Sequence, residues 1–203
     1  VAHDVGAAPY LRARTATFMG FSLFQQRLGR AWPHPAAIPP GYFHQHAGDI
    51  LPEFISGDQD LVWFKNLHQL DTLSRVYPRH EYNVRDGLRF PVEENHPCQL
   101  AVRLLRDAGD DPETSLRLVG ELLYPAHAAY SSIGLGTPET DAMVDAIRQR
   151  GPEEGFYGAR VSGGGSGGTV VVLLKKKALP SLEELSRKYV FAGDTPRPLI
   201  LSA

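Results

Sequence analysis

Apolar residues recur at helical spacing through most of this chain. Over Tyr10 to Leu28, a stripe of Leu11, Thr15, Phe18, Ser22 and Gln25 predicts a helix, with Phe21, Leu23, Phe24 and Leu28 adding bulk. Gly29 stops it, and Pro33 and Pro35 lie just beyond. Residues 33 to 41 are proline-rich and read as irregular. Between 49 and 75, Leu61, Phe64, Leu67, Leu70 and Leu73 recur every three residues and predict short helices. Glu94 to Ala108 places Leu100, Leu104 and Leu105 on one face. Asp111 reads as an N-cap with Pro112 at the first helical position, opening a helix through Leu116, Val119, Leu122 and Leu123 towards Tyr130. Thr137 and Pro138 repeat the device, with Met143, Val144 and Ile147 on one side and Gly151-Pro152 as the stop.

The period then changes. Gly155 to Ser162 alternates loosely, and Thr169 to Leu174 is an unbroken aliphatic and β-branched run of the kind found in buried strands. Ser181 with Glu184 reads as a capping box for a further helix, and Leu199 to Leu201 as a short final strand. Helices first and strands late predict an α+β domain with an antiparallel sheet covered by helices.

Composition narrows the function classes. A net charge of −2 gives no electrostatic case for nucleic acid or an anionic membrane surface. The only basic run, Lys175 to Lys177, follows a strand candidate and reads as a solvated strand end. No segment has the length and apolarity of a membrane span. The single cysteine, Cys98, excludes an internal disulfide and fits a reducing, cytoplasmic compartment. The chain opens on Val1, without an initiator methionine or a signal peptide, so it reads as a fragment, a processed product or a trimmed form.

The richest stretch chemically is Gly163, Gly164, Gly165, Ser166, Gly167 and Gly168. Glycines here expose backbone N–H groups and permit positive φ, so the loop can approach an anion or a sugar where side chains would clash. Gly163, Gly165 and Gly168 satisfy G-x-G-x-x-G, but a dinucleotide site needs a helix after the loop and Thr169 to Leu174 reads as a strand. Thr169 follows the last glycine with no preceding lysine, which rules out a Walker A loop. A flexible Gly/Ser linker fits the composition but not the strand-like flanks, which make the glycines the connection between two paired strands.

Tyr157 to Val170 closely resembles the C-terminal glycine-rich motif of GHMP kinases, roughly G-A-[KR]-[MI]-[ST]-G-[GA]-G-x-G-G before a hydrophobic strand. The Gly158-Ala159-Arg160-Val161-Ser162 run matches as well as the glycines do. The resemblance extends to sugar-kinase members of the galactokinase and L-arabinokinase type. His3 to Gly6 with Tyr10 to Arg14 resembles their R-H-S segment, and Arg14 to Gly20 the helix after it. Tyr82 to Arg85 and His96-Pro97 resemble a similarly spaced pair. Gly120 to Gly136 resembles their G-E-L…H-x-S segment, and Thr137 to Val144 the helix that follows. Residues 33 to 75 are the least anchored.

The resemblance implies a ferredoxin-like C-terminal domain of an ATP-dependent sugar kinase that moves the γ-phosphoryl of ATP to a sugar hydroxyl with Mg²⁺. The sugar-binding motif, nucleotide loop and catalytic aspartate of the family's N-terminal half are not found in this chain. Residues 1 to 203 are therefore expected to form a single C-terminal domain that is inactive alone, with ATP and Mg²⁺ bound mainly by an N-terminal kinase domain as partner. Gly163 to Gly168 are expected at the substrate and phosphate end of the cleft. Tyr10, Arg12, Arg14, Ser131 and Ser132 are candidates for contact with substrate or the neighbouring domain. A surface left bare by the missing half would favour a homodimer. The alternative from another class is a stand-alone module that binds a sugar or sugar phosphate without catalysis; a third reading is a pure interaction domain.

Other constellations carry less. His44-Gln45-His46 with Asp49 has metal-ligating residue types, but on an extended segment the histidines point to opposite sides, so it reads as surface polarity. Cys98, leading into an apolar helix, reads as a core or half-buried thiol rather than a nucleophile paired with His96. His127, Tyr130, Ser131 and Ser132 read as a helix end packed against the glycine loop.

Overall fold

The computed structural model describes residues 8–59, 71–165 and 169–189. The described residues fall into two compact units: 8–100 with 132–135, and 101–131 with 136–189. Their architecture is α+β, rich in helix, with two small antiparallel ladders.

The first unit is organised around helix α1 (Ala8–Leu28). Of the stripe read from sequence only Thr15 is buried, while Ala16, Met19, Phe21, Leu23 and Phe24 lie in the core on several sides of the helix. The reason is that α1 has neighbours all round. It touches helix α2 (Pro40–Ile50) and a ladder of β1 (Phe54–Ser56) and β2 (Glu81–Asn83) paired in register. Gly20 and Gly87 admit helix α3 (Val84–Arg106) at backbone contact, since a Cβ on either would strike the opposite helix's main chain. The last carbonyls of α2 are capped from afar: Arg27 donates to Ile50 O at 2.7 Å, and Arg85 Nε to Leu51 O at 3.0 Å.

Several sequence readings are corrected here. Strand β1 stands at the start of the 49 to 75 segment, where short helices were expected; Leu61, Phe64, Leu67 and Leu70 lie outside the described residues. Helix α3 begins ten residues before Glu94 and runs through Pro91 and Pro97. Proline normally breaks a helix because its missing N–H orphans the carbonyl four residues back. Here that carbonyl, Gly87 O, accepts the Thr17 hydroxyl at 2.8 Å, so the helix continues. The later part of α3 is not a core face: Leu100, Val102 and Leu105 are exposed, and so is Cys98. His44 and His46 sit on helix α2 rather than on an extended segment; His44 pairs with Glu93 at 3.1 Å and His46 stacks on Tyr42.

The second unit carries the glycine loop. Helix α4 (Pro112–Ser132) starts at the predicted cap, with Asp111 Oδ1 accepting Thr114 N–H at 3.1 Å. Helix α5 (Pro138–Arg150) is closed by a reciprocal box in which Thr137 and Thr140 each accept the other's backbone N–H. Strands β3 (Phe156–Ser162) and β4 (Thr169–Leu174) pair antiparallel from Phe156–Leu174 to Ser162–Thr169, with a bulge between Phe156 and Gly158. Helix α6 (Leu179–Lys188) follows a 3₁₀ turn at Lys176–Ala178. Ser181 is inside α6 rather than its cap, because the 3₁₀ turn delivers the backbone already helical at Ala178. Val144, Ile147, Phe156, Ala159, Ala178, Leu182 and Leu185 make the core.

Strand β4 is half-exposed, with Val171 open to solvent, whereas β3 is almost wholly buried. Among the described residues β4 pairs with β3 alone. The predicted strand Leu199–Leu201 lies outside the described residues.

The Thr17 bond is testable by a double-mutant cycle. Thr17→Val leaves the Gly87 carbonyl buried without a donor and should cost about 1–2 kcal/mol. In a Pro91→Ala background, where the amide gained at position 91 can reach that carbonyl, the same substitution should cost much less, as read from urea midpoints.

Candidate functional site

The loop from 163 to 168 joins Ser162 to its register partner Thr169, so it turns a hairpin and is no linker between domains. Gly163 and Gly165 have φ of 73° and 70°, a region that favours glycine, and Gly164 and Gly165 are buried. The strand after the loop confirms that the G-x-G-x-x-G pattern lacks the helix of a dinucleotide site. Ser166, Gly167 and Gly168 lie outside the described residues.

Helix α4 runs along β3 and holds the strand at both ends. Near the foot of the hairpin, Gly120 packs backbone to backbone on Tyr157 and Gly158, and a Cβ on Gly120 or Gly158 would collide with the opposite main chain. There Glu113 takes a 2.6 Å bond from the Tyr157 hydroxyl and a 2.8 Å ion pair from Lys175, the residue after β4. Lys175 is thus a paired strand end, not a solvated one. The Lys175 ammonium, with the Tyr157 hydroxyl second, holds the Glu113 carboxyl down at about 2. Burial, then the bond to Glu113, raises the Tyr157 phenol.

Near the loop the contacts change type. The Tyr130 hydroxyl donates to Gly163 O at 2.7 Å, and the Arg160 guanidinium lies 5.4 Å over the Tyr130 ring while its Nε reaches Val161 O at 3.1 Å. Buried His127 accepts the Val161 N–H on Nδ1 at 3.3 Å and places Nε2 3.1 Å from Asp141 Oδ1. The Ser131 hydroxyl donates to the same oxygen at 2.9 Å. Gly136 makes room, since a Cβ there would sit on both Ser131 Oγ and Asp141 Oδ1.

Residues 104–189 match the family model described as GHMP kinases C terminal. That span contains the hairpin, its loop and all three helices packed with them. Over those residues the chain is similar to the C-terminal domain of GHMP kinases. An L-arabinokinase from Arabidopsis thaliana is 24% identical over 199 aligned positions, which cover 81% of this chain and 19% of that protein. The chain therefore spans about a fifth of that relative's length.

Within this span the structure brings the described glycines together with Tyr130 and places Ser131 one residue further on, turned to Asp141. Ser132, the next residue, is exposed. Tyr10, Arg12 and Arg14 belong to the other unit. Arg14 is bound there in a bidentate pair with buried Asp71, Nε–Oδ2 at 2.9 Å and NH2–Oδ1 at 2.6 Å, and donates to the Tyr10 hydroxyl at 3.2 Å. Burial would raise the Asp71 carboxyl, but Arg14 and the Ser74 hydroxyl outweigh it and hold it below its usual value. Arg14 is thus a structural anchor; Arg12 is exposed. Asp141 went unread as a site residue, although its place in a Thr-Pro-x-x-Asp helix start after Ser131 was visible.

The Glu113 carboxyl gives a pH dependence with a definite sign. Its folded value lies below its ordinary 4.5, so its contribution is complete above about 4.5 and lost as pH falls towards 2. Glu113→Gln should therefore lower Tm at pH 6, and the gap to wild type should close between pH 5 and pH 2. Gly136→Ala should lower Tm as well, by forcing Asp141 away from Ser131 and His127.

Proposed function

We propose that this chain is the C-terminal part of an ATP-dependent sugar kinase, in which the hairpin loop at Gly163 to Gly168 faces the phosphate and substrate end of the cleft. The observation that carries the reading is the loop's backbone. Two glycines in the left-handed region and the anchored Gly163 carbonyl give the described part of the loop a turn made of backbone groups. Such a turn suits a phosphoryl group or a sugar hydroxyl. The matched family and the similarity to L-arabinokinase support a phosphotransferase acting on a sugar.

The fit to the rest of the reaction is partial. Phosphoryl transfer needs Mg²⁺ and a positioned base. Among the described residues no cluster of three His, Cys, Asp or Glu could hold a metal ion. Asp141 is engaged by His127 and Ser131, which argues against a role as base. The metal, the nucleotide and the base then fall to an N-terminal kinase domain, the proposed partner. Among the described residues no helix is long and apolar enough to cross a membrane.

The test is phosphoryl transfer from MgATP to a panel of monosaccharides, including arabinose, galactose and a heptose, by the full-length protein that carries this chain. Gly163→Ala should lower kcat/KM by about tenfold or more, because the left-handed turn would be lost. A Cβ at 163 meets no atom within 4 Å, but the φ of 73° strains any L-residue there, so Tm should fall as well. No transfer to any sugar, with a rise in Tm on adding one, would replace the kinase by a binding module.

A further inference from the structure

We infer that His127 is the positioning residue of the glycine loop, acting as a neutral imidazole with its proton on Nε2. The inference takes the loop to be the ligand-facing element proposed above. A backbone N–H can only donate, so Nδ1, which faces Val161 N, is the unprotonated nitrogen. A carboxylate can only accept, so Nε2, which faces Asp141 Oδ1, carries the proton. The two partners together select one tautomer.

The placement gives the histidine its role. His127 and Tyr130 stand three apart on helix α4 and so share a face. Val161 and Gly163 stand two apart on the strand that enters the loop. One face of the helix thus takes a backbone N–H with the first residue and a backbone carbonyl with the second, and the strand enters the loop with both groups fixed. Asp141, reached from helix α5 through the space left at Gly136, holds the imidazole by Nε2 and the Ser131 hydroxyl by the same oxygen. Ser131 lies one turn beyond His127, so α4 meets this carboxylate twice.

The substitutions separate the two nitrogens. Asn places its carbonyl oxygen near the position of Nδ1 and can keep the Val161 bond; Gln reaches the position of Nε2 and can keep only the bond to Asp141. On the full chain labelled with ¹⁵N, the His127 ring should show a protonated Nε2 and a free, accepting Nδ1. Exchange of the Val161 amide should be about as slow in His127→Asn as in wild type. It should be about tenfold faster or more in His127→Gln and His127→Ala. If His127→Ala does not fold, the comparison of Asn with Gln decides. A proton on Nδ1, or equal Val161 exchange in the Asn and Gln variants, would overturn the assignment. If the exchange pattern holds while the wild-type full-length protein moves no phosphoryl group, the kinase reading falls and the positioning role stands.

Discussion

The unit that carries the glycine loop depends on how closely helix α4 approaches strand β3. Gly120 and Gly158 remove the side chains that would keep them apart, and the two backbones then touch. Without that contact the later residues of the helix could not reach the strand. With it, Glu113 meets Tyr157 at one end, and His127 and Tyr130 meet Val161 and Gly163 at the other. A helix and a strand laid side by side rise at different rates per residue. The contacts accordingly fall at different spacings on the two elements, and each uses a side chain long enough to absorb the mismatch.

Holding the loop in this way has a physical purpose. A glycine-rich turn is entropically expensive to order because glycine loses the most freedom on folding. A loop that ordered itself only around a ligand would subtract that cost from affinity. Here the entry to the loop is ordered beforehand by hydrogen bonds from a helix, itself capped by Asp111 and tied to α5 by Asp141. On the proposed function, the left-handed glycines present backbone groups in a fixed direction, the condition for stabilising developing charge without reorganisation.

Much of this was legible in the residues. The caps at Asp111 and Thr137, the helices they open and the two strands around the glycines follow from local chemistry, and local chemistry prevailed. What failed was reading burial from composition. The aliphatic run of β4 reads as a buried strand, yet among the described residues Val171 is exposed. Leu100 and Leu105 have the spacing of a core face that the described structure leaves open. Helix α3 begins ten residues before the start read from its leucine spacing and runs through Pro91, a breaker by every local rule; the donor that rescues it, Thr17, lies 70 residues from Gly87 in sequence. The site was legible in the same uneven way. The glycines announced themselves and His127 and Tyr130 were visible as neighbours, but the bond from His127 to Asp141 belongs to the packing of two helices. Arg14, read as a candidate for contact with substrate or the neighbouring domain, pairs with Asp71 through a contact of the same long-range kind.

The most direct measurement of whether the loop's entry is held before any ligand arrives is the ¹⁵N order parameter of the Gly163 and Gly165 amides in the ligand-free protein. A value near that of β3, about 0.85, is the result expected of a turn anchored by Tyr130 and His127. A value below about 0.6, as in a flexible Gly/Ser linker, would contradict the account.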